Sequence, residues 1–272
     1  MSWIEILVAI LAGWGAGVVT GFVGASAAVT VVPMLTLFLG MDPYTAIGVS
    51  LGTDVVCSLV STIGYAKHRN VDYKEGLLMA LMTMTASQAG SYLSSGIPSA
   101  GLGGATGIVI LVMGISFMRK PITTRVVELR GRINLQYFER HRRIWGMIFG
   151  LVIGLISGFT GAGGGEIMFI ILVFILGYEV HIAVGTSVMI MTFTALSGLI
   201  GHALYSPVPW AILAISWVGG AIGAQQAAVY ANRVSEDQLA KVAGACFVIL
   251  GVLMTVDQLI TRGAAVGSIL PL

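Results

Sequence analysis

The chain has 272 residues, 57% of them hydrophobic and only 10% charged, with 37 glycines and a formal net charge of +2. A water-soluble domain of this size cannot hide so much apolar surface, which excludes that class and leaves an integral membrane protein. The small positive balance does not mark a nucleic-acid binder, because the basic residues fall in loops beside apolar segments.

Residues 6–41, 76–118 and 180–232 contain no Asp, Glu, Lys or Arg. As one helix the first run would be about 54 Å long against a bilayer core of roughly 30 Å, so it must break. Gly21 and Gly24 mark the place. The other two runs break at Gly96-Ile97-Pro98-Ser99 and at Tyr205-Ser206-Pro207-Val208-Pro209. The pattern predicts helical segments over 3–22, 25–40, 43–66, 75–95 and 100–118, then 144–160, 163–177, 180–204, 209–230 and 238–257. The first segment lacks a basic leader and carries Glu5, which argues against a cleaved signal peptide.

This is an all-α polytopic organisation in three parts: a first membrane repeat at 1–118, a connecting loop at 119–143 and a second repeat at 144–272. The loop holds Arg119, Lys120, Arg125, Arg130, Arg132, Arg140, Arg142 and Arg143 against Glu128 and Glu139, so it is expected on the cytoplasmic side. Cys57 and Cys246 both lie in apolar segments and read as buried thiols, with no disulfide and no metal site.

The two parts are copies. Gly21-Phe22-Val23-Gly24-Ala25 returns 137 positions later, without a gap, as Gly158-Phe159-Thr160-Gly161-Ala162. At the same offset Gly13, Gly17, Leu35, Gly40, Gly48, Ser50, Gly64 and Gln88 meet identical residues. Five crossings per half is an odd number, which calls for an inverted second copy. The loop at 67–74 carries Lys67, Arg69 and Lys74, whereas its equivalent at 204–211 has no Lys or Arg, as expected of loops on opposite faces. Segments 25–40 and 163–177 are short enough to re-enter; with neither spanning, each half has four crossings and the repeat is parallel. The loop charges favour inversion.

Each copy has a glycine-rich break. Gly161-Ala162-Gly163-Gly164-Gly165 lets the chain turn and leaves successive N–H groups uncovered, and the next short helix starts with its positive end at the break. Such a place suits an anion. The first copy, Gly24-Ala25-Ser26-Ala27-Ala28, is less open, and Ser26 adds a hydroxyl. Close packing through small residues is the competing explanation. Behind the breaks, Ser50 and Ser187 are repeat-equivalent, as are Gln88 and Gln225; Thr186 stands beside Ser187. Both glutamines are expected to face the interior, holding helices together or touching a ligand. His181 and His202 read as interfacial.

Asp54 lies mid-segment and Glu166 just past the last glycine. Both are candidates for proton coupling; for Glu166 the alternative is stabilisation of a first helical turn. Their repeat-equivalents are Met191 and Val29, so neither is part of a symmetric site.

These residues resemble the sulfite exporter TauE/SafE family, also called the 4-toluene sulfonate uptake permease family. The likeness rests on Gly161 to Gly165 with Gly185-Thr186-Ser187, and on the degenerate copies Gly24 to Ala28 with Pro33, and Gly48-Val49-Ser50. In layout it extends over nearly the whole chain. The resemblance implies movement of small sulfur-containing anions such as sulfite or sulfonates across the bacterial inner membrane. Departures are the missing triple glycine in the first copy and Ile170 where the first copy has Pro33.

The expected function is a secondary transporter alternating access about a midplane site. Its candidate substrate-binding residues are Gly24, Ala25, Ser26, Ser50, Gln88, Gly161, Gly163, Gly164, Gly165, Thr186, Ser187 and Gln225, with Glu166 or Asp54 carrying a proton. No cofactor, metal or nucleic acid is called for, and a homo-oligomer is left open. A passive anion channel shares the same dipole-lined site. A membrane enzyme using His202, Cys57, Asp54 or Glu166 lacks a ligand-spaced cluster or catalytic constellation.

Overall fold

A computed structural model describes residues 1–96, 135–161 and 164–230, with isolated helical positions between 108 and 119 and between 245 and 256. Within them the chain forms α1 (Trp3–Val23), α2 (Ala28–Leu39), α3 (Pro43–Lys67), α4 (Tyr73–Ser95), α5 (Leu135–Arg140), α6 (Arg142–Thr160), α7 (Gly165–Phe174), α8 (Val180–Tyr205) and α9 (Trp210–Tyr230). The expected segments 100–118 and 238–257, and most of the connecting loop, lie outside the described residues. The other expected segments all form.

Local chemistry fixes the helix starts. Ser2 and Glu5 make a reciprocal capping box on α1. Asp42 accepts from the N–H groups of Tyr44 and Thr45 ahead of Pro43 at the start of α3. Asp72 does the same for Lys74 and Glu75 on α4.

Among the described residues four helices are long and apolar enough to cross a membrane: Trp3–Phe22, Pro43–Lys67, Arg142–Thr160 and His181–Tyr205. At 12 and 10 residues, α2 and α7 are not; they are only about 18 and 15 Å long. Instead α2 turns back along α1: the Thr30 hydroxyl meets the Ala12 carbonyl at 3.5 Å, and the Thr20 hydroxyl donates to the Ala25 carbonyl at 2.7 Å. A short α2 therefore does not remove a reversal of direction. It is the return limb of a broken hairpin whose turn lies at the first glycine break.

Two helices form the axis of the molecule. α3 and α8, equivalent in the repeat, run antiparallel: Gly48 faces His202, Gly198 faces Leu51, Ser58 accepts from the Thr192 hydroxyl at 2.9 Å, and Gly185 packs on Tyr65 and Asn70. Around them the halves exchange helices. α1 of the first half packs along α9 of the second, and α6 of the second along α4 of the first.

Both outer pairs meet backbone to backbone through glycine. A Cβ at Gly13 would lie 2.1 Å from the Ser216 carbonyl oxygen, and one at Gly17 2.1 Å from that of Gly220. In the other pair, Cβ atoms at Gly90, Gly154 and Gly158 would fall 2.3, 2.3 and 2.0 Å from the carbonyl oxygens of Leu155, Thr83 and Ser87. Without a hydrophobic drive between helices in lipid, such close approach supplies the dispersion contact that holds them. Beyond these pairs, Gly251 packs on Leu111.

Gly17→Leu and Gly158→Leu are expected to cost about 3 kcal/mol or more, the upper range for overpacking, because backbone rather than a flexible side chain must move. Gly15→Ala meets only the Thr30 side chain at 3.7 Å and serves as the control. Thermal unfolding followed by size exclusion in detergent checks this: the leucine variants lose the monodisperse peak at lower temperature and the alanine variant does not.

Candidate functional site

Both breaks are left-handed turns. Gly24 (φ 72°) ends α1 with its N–H on the Thr20 carbonyl, and Gly161 (φ 72°) ends α6 with its N–H on that of Ser157, each at 2.9 Å. They diverge at the next helix start. Gly164 precedes α7 with φ 73°, a conformation glycine adopts without strain, whereas its repeat-equivalent Ala27 precedes α2 with φ −58°. The first copy therefore does not need the glycine that the second requires. Ala162, Gly163 and the Glu166 side chain lie outside the described residues.

The breaks meet each other. A Cβ at Gly165 would lie 2.5 Å from the Gly24 carbonyl oxygen and 2.6 Å from Met191 Sδ. Each is also faced by the serine of the opposite half. Ser50, on α3, has its hydroxyl 3.2 Å from the Gly161 carbonyl and 2.8 Å from that of Ile47. Ser187, on α8, places its hydroxyl 3.7 Å from the Cβ position of Gly24 while donating to the Val184 carbonyl at 2.9 Å. Both serines are fully buried.

Asp54 holds the first break. From the middle of α3 its carboxylate accepts from the Ser26 hydroxyl at 2.5 Å and from the Ala27 N–H at 2.6 Å, and Ser26 Oγ accepts from the Ala28 N–H at 3.2 Å. A carboxylate thus sits on the positive end of α2. At the start of α7 the equivalent position is Met191 instead, and among the described residues no side chain caps that helix.

Other expected site residues stand apart. Thr186 takes the Asp72 N–H at 2.9 Å at the basic end of α8, away from the breaks. Gln88 ties α4 to α8, donating to the Ser197 carbonyl at 2.5 Å and to its hydroxyl at 3.0 Å. Gln225 is exposed on α9, so the expectation that both glutamines face the interior holds for one of them alone. The reason is local: α9 turns its glycines to α1, and Gln226 beside Gln225 accepts from Trp14 Nε1 at 2.7 Å.

The histidine reading also needs correction. His181 is exposed, but His202 is 1% exposed, stacked on Tyr44 with ring centroids 4.3 Å apart. The signal was present in the repeat, where Tyr44 pairs with His181 and Tyr65 with His202 at the offset of 137.

The basic end is tied by side chains from both halves. The Tyr178 hydroxyl donates to Asp72 at 2.9 Å, the Arg142 guanidinium lies 4.5 Å from the Tyr178 ring centre, and Arg143 pairs with Glu75 at 3.1 Å. Burial and the bond to Asp72 push the Tyr178 phenol well above its ordinary value. Cys57 is a buried free thiol. Among the described residues no three His, Cys, Asp or Glu side chains gather as metal ligands.

Known proteins resemble this chain in sequence. A relative from Bacillus subtilis (strain 168), the probable membrane transporter protein YunE, is 27% identical over 239 residues, covering 81% of this chain and 88% of that protein. The probable membrane transporter protein YdhB of the same organism is 26% identical over 216 residues, covering 79% and 86%. An archaeal relative, the probable membrane transporter protein MJ0441 of Methanocaldococcus jannaschii, is 25% identical over 199 residues, covering 71% and 70%. No solved structure matches the chain. The family model described as "Sulfite exporter TauE/SafE" matches residues 9–254, nearly the full length, and the chain belongs to that family of multi-pass membrane proteins.

Proposed function

We propose that this protein is a secondary transporter of small sulfur-containing anions, such as sulfite, sulfonates or related organosulfur acids, in the bacterial plasma membrane. Its two membrane repeats, 1–118 and 144–272, are inverted copies joined by a cytoplasmic loop, and they expose a shared midplane site alternately to either side. The antiparallel course of α3 and α8, repeat-equivalent helices, supports the inversion.

One observation carries the reading: the two breaks touch, and each is faced by the repeat-equivalent serine of the other half. A site built from both halves changes shape whenever the halves move against each other. The anion is held by N–H groups at the start of α7 with the Ser50 and Ser187 hydroxyls, without a salt bridge to a deep Lys or Arg. That gives the releasable binding that transport needs.

The charge already at the first break gives a reason for proton coupling. An anion entering beside Asp54 meets a like charge at short range in apolar surroundings. Protonation of Asp54, or of Glu166 at the second break, removes that repulsion. A channel would use the same dipoles, but the interlocked outer pairs and the contact of the breaks support a carrier.

Flux of sulfite and sulfonates into proteoliposomes, with and without an imposed pH gradient, tests the reading. Saturable flux with counterflow is expected; linear, unsaturable flux supports a channel, and absence of flux for every sulfur anion removes the substrate class. Ser50→Ala and Ser187→Ala, each alone, should raise KM about tenfold, the loss of one hydrogen bond to a charged ligand. Unchanged KM in either variant removes that serine from the site. Asp54→Asn and Glu166→Gln separate the proton carriers: the variant whose flux ignores the gradient identifies the group, and retained coupling in both rules out both.

A further inference from the structure

We propose that His202 is a proton-binding site whose occupancy opens the end of the molecule opposite Lys67, Lys74 and Arg142. This deepens the carrier reading, on which its purpose rests, and names a group outside the anion site described above.

The geometry assigns the proton positions. His202 Nε2 lies 3.0 Å from the Gly158 carbonyl oxygen, which can only accept, so Nε2 carries the hydrogen and Nδ1 the lone pair. Nδ1 is buried without a hydrogen-bond partner. Tyr44 is itself 8% exposed, with its ring tilted 39° against the imidazole. A buried lone pair left unsatisfied is costly, and functional sites are where such costs are kept.

Among the described residues the surroundings hold no counter-charge. From α3 the pair is faced by Tyr44 itself and Gly48; from α4 by Ser94, with Ser91 and Gln88 lying against Gly201; from α6 by the Gly158 carbonyl; from α8 by Tyr205. None of these carries charge at neutral pH. A proton on Nδ1 in the stacked state would be an unpaired buried cation, whereas in a separated, wetted state it would be solvated. The proton therefore binds the open arrangement better, and that difference in affinity is what shifts a two-state equilibrium.

Position and repeat both fit a gate. The stack joins α3 of the first half to α8 of the second, and its third partner, Gly158, lies one turn before the Gly161 break. Because Tyr44 corresponds to His181 and Tyr65 to His202, each end of the α3–α8 pair carries one tyrosine and one histidine. At the basic end the histidine is exposed; at this end it is buried.

The test needs no knowledge of the substrate. In a background with Cys57→Ser and Cys246→Ser, the single reporter Ser94→Cys beside Tyr44 is labelled in proteoliposomes with a membrane-impermeant maleimide. Rates are normalised at each pH to the unfolded protein, which removes the intrinsic thiol titration. Labelling should rise about tenfold from pH 8 to pH 5, the range in which histidine changes charge. The rise should vanish in His202→Gln, which keeps an N–H for the Gly158 carbonyl but does not titrate, and persist in Tyr44→Phe. Tyr44→Ala, which removes the stack, should label fast at every pH. Flat labelling in the parent, or an equal rise in His202→Gln, overturns the proposal. Should His202→Gln fail to give monodisperse protein, slow and pH-steep labelling in Tyr44→Ala overturns it instead. Parallel flux separates the two readings: flux with flat labelling keeps the carrier and removes the proton site. Steep labelling lost in His202→Gln, without flux of any sulfur anion, keeps the proton site and removes the substrate class.

Discussion

A backbone that leaves the helix inside apolar surroundings must find every donor and acceptor within the protein, because no water is there to take them. That constraint organises this molecule. At the first break the Thr20 carbonyl takes the Gly24 N–H, the Thr20 hydroxyl serves the Ala25 carbonyl, and Asp54 takes the Ser26 hydroxyl and the Ala27 N–H. A carboxylate reaching across from α3 fixes the rotation of that helix. Ser50, one turn before Asp54, is thereby turned toward the Gly161 carbonyl, and Ser58, one turn after, toward Thr192 on α8. The register of the central helix pair and the placing of the candidate site both depend on how one break is satisfied.

The outer helices solve a different problem. Helices that meet in lipid gain nothing from expelling water, so they need contact area. Glycines at Gly13 and Gly17 with Gly219 and Gly223, and at Gly90 with Gly154 and Gly158, bring backbones together. Each close pair takes one helix from either half, so the two halves interlock. The small residues counted in the sequence thus have two separable jobs. Most serve packing, as the competing explanation held. Gly24, Gly161 and Gly164 instead serve the turn, where positive φ is required.

The helices and their breaks were legible from the sequence because charge-free length, glycine and proline act locally. The segments expected at 43–66 and 180–204 form as α3 and α8 with ends displaced by at most one residue. Side-chain direction was not legible, since it depends on which neighbour arrives. Gln88 and Gln225 are identical by repeat, yet α4 turns Gln88 to Ser197 while α9 leaves Gln225 exposed. Thr186 looked like part of the site from its neighbour Ser187, but successive helical residues point about 100° apart, and Thr186 serves the Asp72 N–H instead. His202 looked interfacial from its place near a helix end. Its burial comes from Tyr44, which is distant in sequence and joined to it only by the antiparallel course of α3 and α8.

Duplication creates two equal half-sites, and the chain departs from that equality both in the glycines of the break and at the position of Asp54. Asp54 caps α2, while Met191 stands at the equivalent place against Gly165. The positive end of α2 is thus already opposed by a carboxylate, and the N–H groups that could hold an anion there are in use. The start of α7 has no such occupant among the described side chains, and it opens through Gly164 in a conformation that its equivalent Ala27 does not share. On the carrier reading the halves therefore divide the work. The second break offers donors to the anion, and the first offers a charge that the anion must tolerate or a proton must cancel. A symmetric pair of glycine breaks would bind two anions side by side, each weakening the other. On that same reading, a fixed carboxylate in place of one half-site would leave room for a single anion and link its binding to protonation.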